Sequence, residues 1–191
     1  MCGRLNVVND PLAQWVSNFF GLSFQAVTNS DLRPTQAVST VIKRNDTFLQ
    51  LDTHWGIKPS WSKKLIINAQ SETAATKKTF RDSFSMYRCL VPCTGWYEWR
   101  DEGGSRKQKY VFSYVNSLPV LMAGIWFESG DQQQLVTLTT EPNNRCAKIH
   151  KRMPGLILPE DIDVWFGASK DKASSLLQPI SDDLIQIERC D

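Results

Sequence analysis

The sequence predicts an α+β fold rich in antiparallel strands, and three observations carry that prediction. Val38 to Lys43 and Thr47 to Leu51 are β-rich runs joined by Arg44-Asn45-Asp46, the pattern of a hairpin. Tyr110 to Val115, Val120 to Phe127 and Gln134 to Thr140 supply three more strands separated by turn residues. Helical periodicity occurs in several separate stretches, with no repeat, low-complexity tract or linker between them. The 191 residues therefore read as one domain, 1–191, of mixed α and β structure.

The elements follow in order. Asp10-Pro11 is a helix-start signal, with Asp as N-cap and Pro at the first helical position. Leu12, Trp15, Val16, Phe19 and Phe20 recur at helical spacing until Gly21 closes the run, which gives an amphipathic helix packed on the core. Ser23 to Thr35 reads as a loop, and the hairpin comes next. Leu65 to Ile67 predicts a short strand, followed by a helix over roughly Ala74 to Phe84. Arg88 to Pro92 predicts a buried strand, and Asp101 to Lys109 a charged turn. After the three later strands, Pro142 to Ile149, Pro159 to Phe166 and Ser169 to Leu177 read as helices. Ile185 to Glu188 reads as a last strand.

Composition narrows the class. A hydrophobic fraction of 41% and a charged fraction of 22% are ordinary for a folded domain with a real core. The net charge of +2 means that nucleic-acid binding would need a local basic patch rather than bulk charge. No apolar stretch approaches the roughly 20 residues of a spanning helix. Asn6, Asn9 and Asp10 interrupt any signal-peptide core, so the expected setting is cytoplasmic, with no membrane. An odd count of five cysteines in a reducing setting argues against a disulfide framework. Cys89 and Cys93 are four apart, but neither histidine lies near them in sequence, so no metal site is expected.

Four places carry chemistry. Cys2 stands directly after the initiator methionine. Removal of Met1 would give it a free α-amine, with an ordinary pKa of about 7.7–8.0, next to a thiol at about 8.5. Such an aminothiol condenses with an aldehyde: the amine forms a Schiff base and the thiol closes a five-membered thiazolidine ring. An internal cysteine cannot do this, because its nitrogen is an amide. Trp61 beside Lys63 and Lys64, in a stretch punctuated by Gly56 and Pro59, suits base stacking and phosphate pairing. Glu98 lies between aromatics. It is either solvent-facing by strand alternation or held in an apolar pocket, where desolvation would raise its pKa toward acid–base use. His150 stands in an expected loop beside Lys151 and Arg152.

The chain carries, in order, Cys2-Gly3-Arg4, Pro34-Thr35-Gln36, Trp55-Gly56 with Pro59-Ser60-Trp61, Asn68-Ala69 with Ser71-Glu72-Thr73, Val91-Pro92 with Gly95 and Tyr97-Glu98-Trp99, Ala123-Gly124-Ile125-Trp126, and His150 with Arg152-Met153-Pro154. Together these motifs resemble the SOS-response-associated peptidase (SRAP) family, whose members act on abasic sites in single-stranded DNA. The resemblance implies a curved, largely antiparallel, barrel-like sheet flanked by helices, with a basic DNA groove. It implies that Cys2 links to the open-ring aldehyde of an abasic deoxyribose. Asn68 would orient groups in the site, Glu98 would serve as acid and base beside the amine, and His150 would help open the sugar ring. By the same analogy Arg4, Lys58, Trp61, Gln70, Lys151, Arg152 and Met153 would line the groove. No cofactor is implied, the partner is single-stranded DNA containing abasic sites, and the protein would act as a monomer. The family is also credited with removing residues ahead of its own cysteine. This chain departs from the pattern at Gln70, where arginine is usual, at Asp31 and Arg33, where Asn and Ala are usual, and at Cys93-Thr94, where Ala-Asp is usual.

Two other readings are open on sequence. Met-Cys-Gly also begins class II glutamine amidotransferases, in which the freed amine serves as base for the thiol, although their later motifs are absent here. A DNA-binding module with no chemistry, using Trp61 and the nearby cations, is the third.

Overall fold

The hairpin expected around Arg44-Asn45-Asp46 is the spine of the larger sheet. Asn45 and Asp46 both take positive φ, 47° and 59°. These are the left-handed angles of a tight two-residue turn, which Asn and Asp tolerate better than most residues. The computed structural model describes residues 2–191. Its strands are β1 (Leu5–Val7), β2 (Asn29–Leu32), β3 (Ala37–Arg44), β4 (Thr47–Trp55), β5 (Asn68–Gln70), β6 (Arg88–Cys93), β7 (Gly95–Arg100), β8 (Gln108–Tyr114), β9 (Val120–Ser129), β10 (Gln132–Thr140), β11 (Met153–Pro154) and β12 (Ile185–Arg189). The helices are α1 (Asn9–Phe20), α2 (Ser71–Ala74), α3 (Arg81–Met86), α4 (Asn144–Ala147), α5 (Ile162–Gly167) and α6 (Lys170–Ser175).

Around the larger sheet, β4 pairs with β3, β3 with β6, β6 with β9, β9 with β10, and β10 back with β4. That ring of five strands closes into a barrel, which leaves these strands no free edge within the ring. Among the described residues, only the β10–β4 and β10–β5 pairings are parallel. A second, antiparallel sheet runs β12-β8-β7-β1-β2. The expected α+β class with a curved, largely antiparallel, barrel-like sheet is what the structure has. No helix among the described residues is long and apolar enough to cross a membrane.

Three tryptophans, Trp55, Trp96 and Trp165, are fully buried in the core. Two of them satisfy their indole N–H on backbone: Trp55 donates to Ile67 O at 3.1 Å and Trp165 to Cys89 O at 3.2 Å. Arg88, also buried, donates to the carbonyls of Phe84, Trp165 and Ala168 at 3.0, 2.6 and 2.8 Å. Its guanidinium thereby satisfies carbonyls at the C-terminal end of α5 that have no partner inside the helix.

The structure corrects several element boundaries. The region read as a loop from Ser23 contains β2, which pairs with β1 through Leu5↔Leu32. Its Asn-Ser-Asp run hides the strand, because pairing rather than apolar alternation makes it. β1 itself is a strand that sequence reading missed. The strand placed at Leu65 to Ile67 shifts to β5, the polar Asn68–Gln70. Ile66 contributes only an isolated bridge to Ile57. The helix read from Ala74 to Phe84 is two short helices, α2 and α3, with turns across Thr76 to Thr79 between them. Asp10, by contrast, keeps extended angles (φ −107°, ψ 125°) at the head of α1, the backbone geometry expected of its capping position.

Gly95 is needed for the smaller sheet. A Cβ built on it would sit 2.2 Å from Phe112 O on β8, an approach no side chain allows. Gly95 also pairs with Asn6 on β1. Gly95→Ala is therefore expected to destabilise the fold by about 3 kcal/mol or more, at the upper end of overpacking costs. A urea unfolding curve reads this directly, and a midpoint unchanged from wild type would contradict it.

Candidate functional site

The smaller sheet delivers the N-terminus. β1 runs antiparallel to β7 with Leu5 opposite Trp96, and the ladder continues outward as Tyr97 N–H donates to Arg4 O at 3.0 Å. Residues ahead of Arg4 therefore lie along the part of β7 that carries Glu98. Cys2 is buried, 1% exposed. From the other sheet, β5 sets Asn68 beside Thr137 of β10. The Asn68 carboxamide donates from Nδ2 to Cys2 O at 2.8 Å, and its Oδ1 accepts from the Thr137 hydroxyl. Thr137 thus fixes which way the amide points. This chain of contacts joins groups 66 and 69 residues apart in sequence and ties the two sheets together.

Glu98 is 4% exposed, and its Oε1 lies 4.0 Å from His150 Nδ1. Of the two readings open on sequence, the structure takes the pocket. Burial pushes the carboxyl up to about 7, so it gives or takes a proton near neutral pH. His150 Nδ1 also sits 3.1 Å from both the N–H and the carbonyl of Arg152. Burial lowers the imidazole pKa, which favours the neutral ring. The Cys2 thiol is pushed well up, first by burial, then by the nearby charge of Glu98 and by Cys93. A thiol so placed stays protonated until a base takes its proton, since the thiolate is the nucleophile. The site therefore pairs a protonated thiol with two groups able to move protons.

The residues expected to line a groove fall into distinct settings. Arg4 donates to Asp31 at 2.5 Å and lies over the Trp99 ring, 5.4 Å from its centroid. Arg152 makes a two-pronged contact with Glu72 at 2.7 and 2.8 Å, and one with Thr139 O at 2.5 Å. That contact holds the Glu72 carboxyl below its ordinary range. Met153 packs in the core, where its sulfur accepts from Asn143 N–H at 3.4 Å. Gln70 and Lys151 are exposed. Lys58 and Trp61, the latter 67% exposed, border a groove of about 480 Å³ together with Lys78 and Phe127. Sequence reasoning missed Thr137 and Lys78, and noted Asp31 only as a departure from the family pattern. The Lys77-Lys78 doublet was the one signal available for Lys78; Thr137 matters through Asn68, 69 residues away, and Asp31 through Arg4, 27 residues away, as well as through its near neighbour Arg33.

Comparison with known proteins agrees with this architecture. The family described as "SOS response associated peptidase (SRAP)" matches residues 1–190. Among relatives, the abasic site processing protein YedK of Escherichia coli strain K12 is 33% identical over 131 residues, 65% of this chain and 59% of YedK. The abasic site processing protein YoqW of Bacillus subtilis strain 168 is 27% identical over 199 residues, 96% of this chain and 89% of YoqW. The alignment thus spans under two thirds of YedK and most of YoqW. A protein of Bordetella bronchiseptica shares the fold, with a TM-score of 0.85 at 20% identity, covering 100% of both chains. A protein of Bacteroides thetaiotaomicron does so with a TM-score of 0.80 at 22% identity, covering 98% of this chain and 91% of the other. With a family match across almost its whole length, the chain belongs to the SOS response associated peptidase (SRAP) family.

Proposed function

We propose that this chain processes abasic sites in single-stranded DNA by capturing the sugar covalently at Cys2. The observation that carries the reading is the convergence of Cys2 with Asn68 and Glu98, and of Glu98 with His150, from four separate parts of the sequence. The abasic site processing names of relatives such as YedK and YoqW supply the substrate class. In this reading residues 1–191 act as one domain, as a monomer and without a cofactor.

The reaction begins once Met1 is removed, by a self-processing step; Met1 lies outside the described residues. The neutral α-amine of Cys2 attacks C1′ of the ring-opened deoxyribose and forms a carbinolamine. Glu98, protonated near neutral pH, gives its proton to the departing hydroxyl, and water leaves an iminium. The Cys2 sulfur then adds to the iminium carbon, and the resulting ring nitrogen is neutral once the thiol proton has passed to the carboxylate of Glu98. One carbon–nitrogen and one carbon–sulfur bond form, one water leaves, and Glu98 ends as it began. His150 serves the ring-opening step, taking the proton of the anomeric hydroxyl and returning one to the ring oxygen. Asn68, locked by Thr137, holds the Cys2 carbonyl and so fixes where amine and thiol can reach. Arg4, Lys58, Trp61, Gln70, Lys151, Arg152 and Met153 form or support the strand's path.

The same iminium can lose the 3′-phosphate by β-elimination, so slow nicking accompanies capture. A denaturing gel of mature protein with an abasic single-stranded oligonucleotide tests both activities. A heat-stable slower band is expected, with a minor nicked product that grows over hours. Reversible binding alone, equal on intact and abasic strands, would contradict the reading and favour a binding module.

A further inference from the structure

We propose that Asp31 is an internal stand-in for a DNA phosphate, holding Arg4 and Arg33 as a two-arginine site for the backbone of the captured strand. The proposal rests on the reading of Cys2 as the point of capture, and Arg4 is two residues from it. Each oxygen of Asp31 serves a different arginine. Oδ1 accepts from Arg4 NH1 at 2.5 Å, while Oδ2 accepts from Arg33 Nε at 3.0 Å and NH2 at 2.5 Å. Two guanidinium groups converge on one anion, so the cluster keeps a net positive charge. The guanidinium fork that fits a carboxylate fits a phosphate equally well.

The arrangement is open to a ligand. The side chains of Arg4, Asp31 and Arg33 are 23%, 40% and 59% exposed. Ion pairs so exposed contribute little to stability, and a competing anion opens them readily. Nor are they needed to join β1 to β2, which the strand ladder already does.

Arg33 is also placed in advance. Its N–H donates to the Gln36 side chain at 2.6 Å, and Thr35, at φ 74°, turns the chain so that its N–H reaches Trp55 O at 2.8 Å. Trp55 N–H returns a bond to Gln36 O at 3.1 Å, and the Trp55 indole donates to Ile67 O, next to Asn68. The turn that presents Arg33 is thus pinned to Trp55 of β4, whose indole in turn holds the residue before Asn68, which lowers the ordering cost of binding. As a strand phosphate arrives, it takes the Arg33 guanidinium and shares that of Arg4, and Asp31 yields.

The test is the salt dependence of reversible binding to an intact, fluorescently labelled single-stranded oligothymidylate, followed by anisotropy between about 50 and 200 mM salt. Arg33→Ala should weaken binding and flatten the slope of log K against log salt by about 0.7, the loss of one single-strand phosphate contact. Arg33→Lys should keep the slope. Asp31→Asn removes the competing anion and should tighten binding several-fold at the low-salt end. A purely structural ion pair predicts the opposite pattern: an unchanged slope in Arg33→Ala and unchanged or weaker binding in Asp31→Asn. Either result overturns the proposal. Wild-type protein that forms no adduct with abasic DNA defeats the capture reading instead, so the two failures are distinguishable.

Discussion

Cys2→Ala should leave no heat-stable adduct on abasic single-stranded DNA, under conditions where the wild-type protein converts most of the strand. The reason is the ring. With Met1 removed, the α-amine of the alanine variant still forms a Schiff base, but without the sulfur nothing closes on the iminium carbon, and water reverses the reaction on heating. Cys2→Ser separates the two nucleophiles further, because its hydroxyl is a poorer nucleophile and cannot give a thiazolidine. Any residual conjugate of Cys2→Ser should be lost on heating and retained only after borohydride reduction. Cys2 is buried at 1% exposure, and the serine swap changes its size little, so the variant is expected to fold. Melting curves of the two variants check this. A Cys2→Ser conjugate as heat-stable as wild type would refute the role given to sulfur.

Glu98→Gln should slow capture by about 10²–10⁴-fold, the usual worth of a positioned acid–base group. The amide keeps the shape of the side chain and its place beside His150, and it removes the proton that the departing hydroxyl needs. Burial pushes Glu98 up to about 7, so wild-type capture should fall as pH rises through that value, while the variant shows no such fall. The same shift has a stability consequence. Between the ordinary 4.5 and about 7 the folded state holds a proton that the unfolded chain has released. Stability from this group therefore declines as pH rises across that window, by up to about 1.4 kcal/mol per unit, and is flat above it. Glu98→Gln should abolish that decline. Capture by Glu98→Gln at the wild-type rate, with the same pH dependence, would remove Glu98 from the mechanism.

The parts of this protein that were legible in its sequence are those where local chemistry decides. Asn45-Asp46 takes the left-handed turn its residues favour, and the hairpin follows. Leu12, Val16 and Phe20 are the buried face of α1, as their spacing requires. The failures occur where pairing decides. β2 is polar along Asn29-Ser30-Asp31 and becomes a strand because β1 lies beside it. β5 reads as polar because Asn68 turns to Cys2 and Thr137 and Gln70 is exposed, which leaves Ala69 as its one core side chain. For Cys2, Asn68, Glu98 and His150, the order of motifs named the residues, but no spacing could reveal their contacts. Thr137 is one threonine among several in β10 until Asn68 is placed beside it. Asp31 looks like a loop carboxylate until two arginines converge on it. Glu98 was ambiguous for a physical reason: strand alternation fixes its face but does not say which face the rest of the chain covers.

The most direct measurement of the central claim is the intact mass of the conjugate formed with a synthetic abasic oligonucleotide, together with fragmentation that locates the bond. The account predicts the mass of the chain from Cys2 onward plus the oligonucleotide less one water, with the link on the N-terminal residue. A conjugate that retains Met1, or one attached through a lysine, would contradict it.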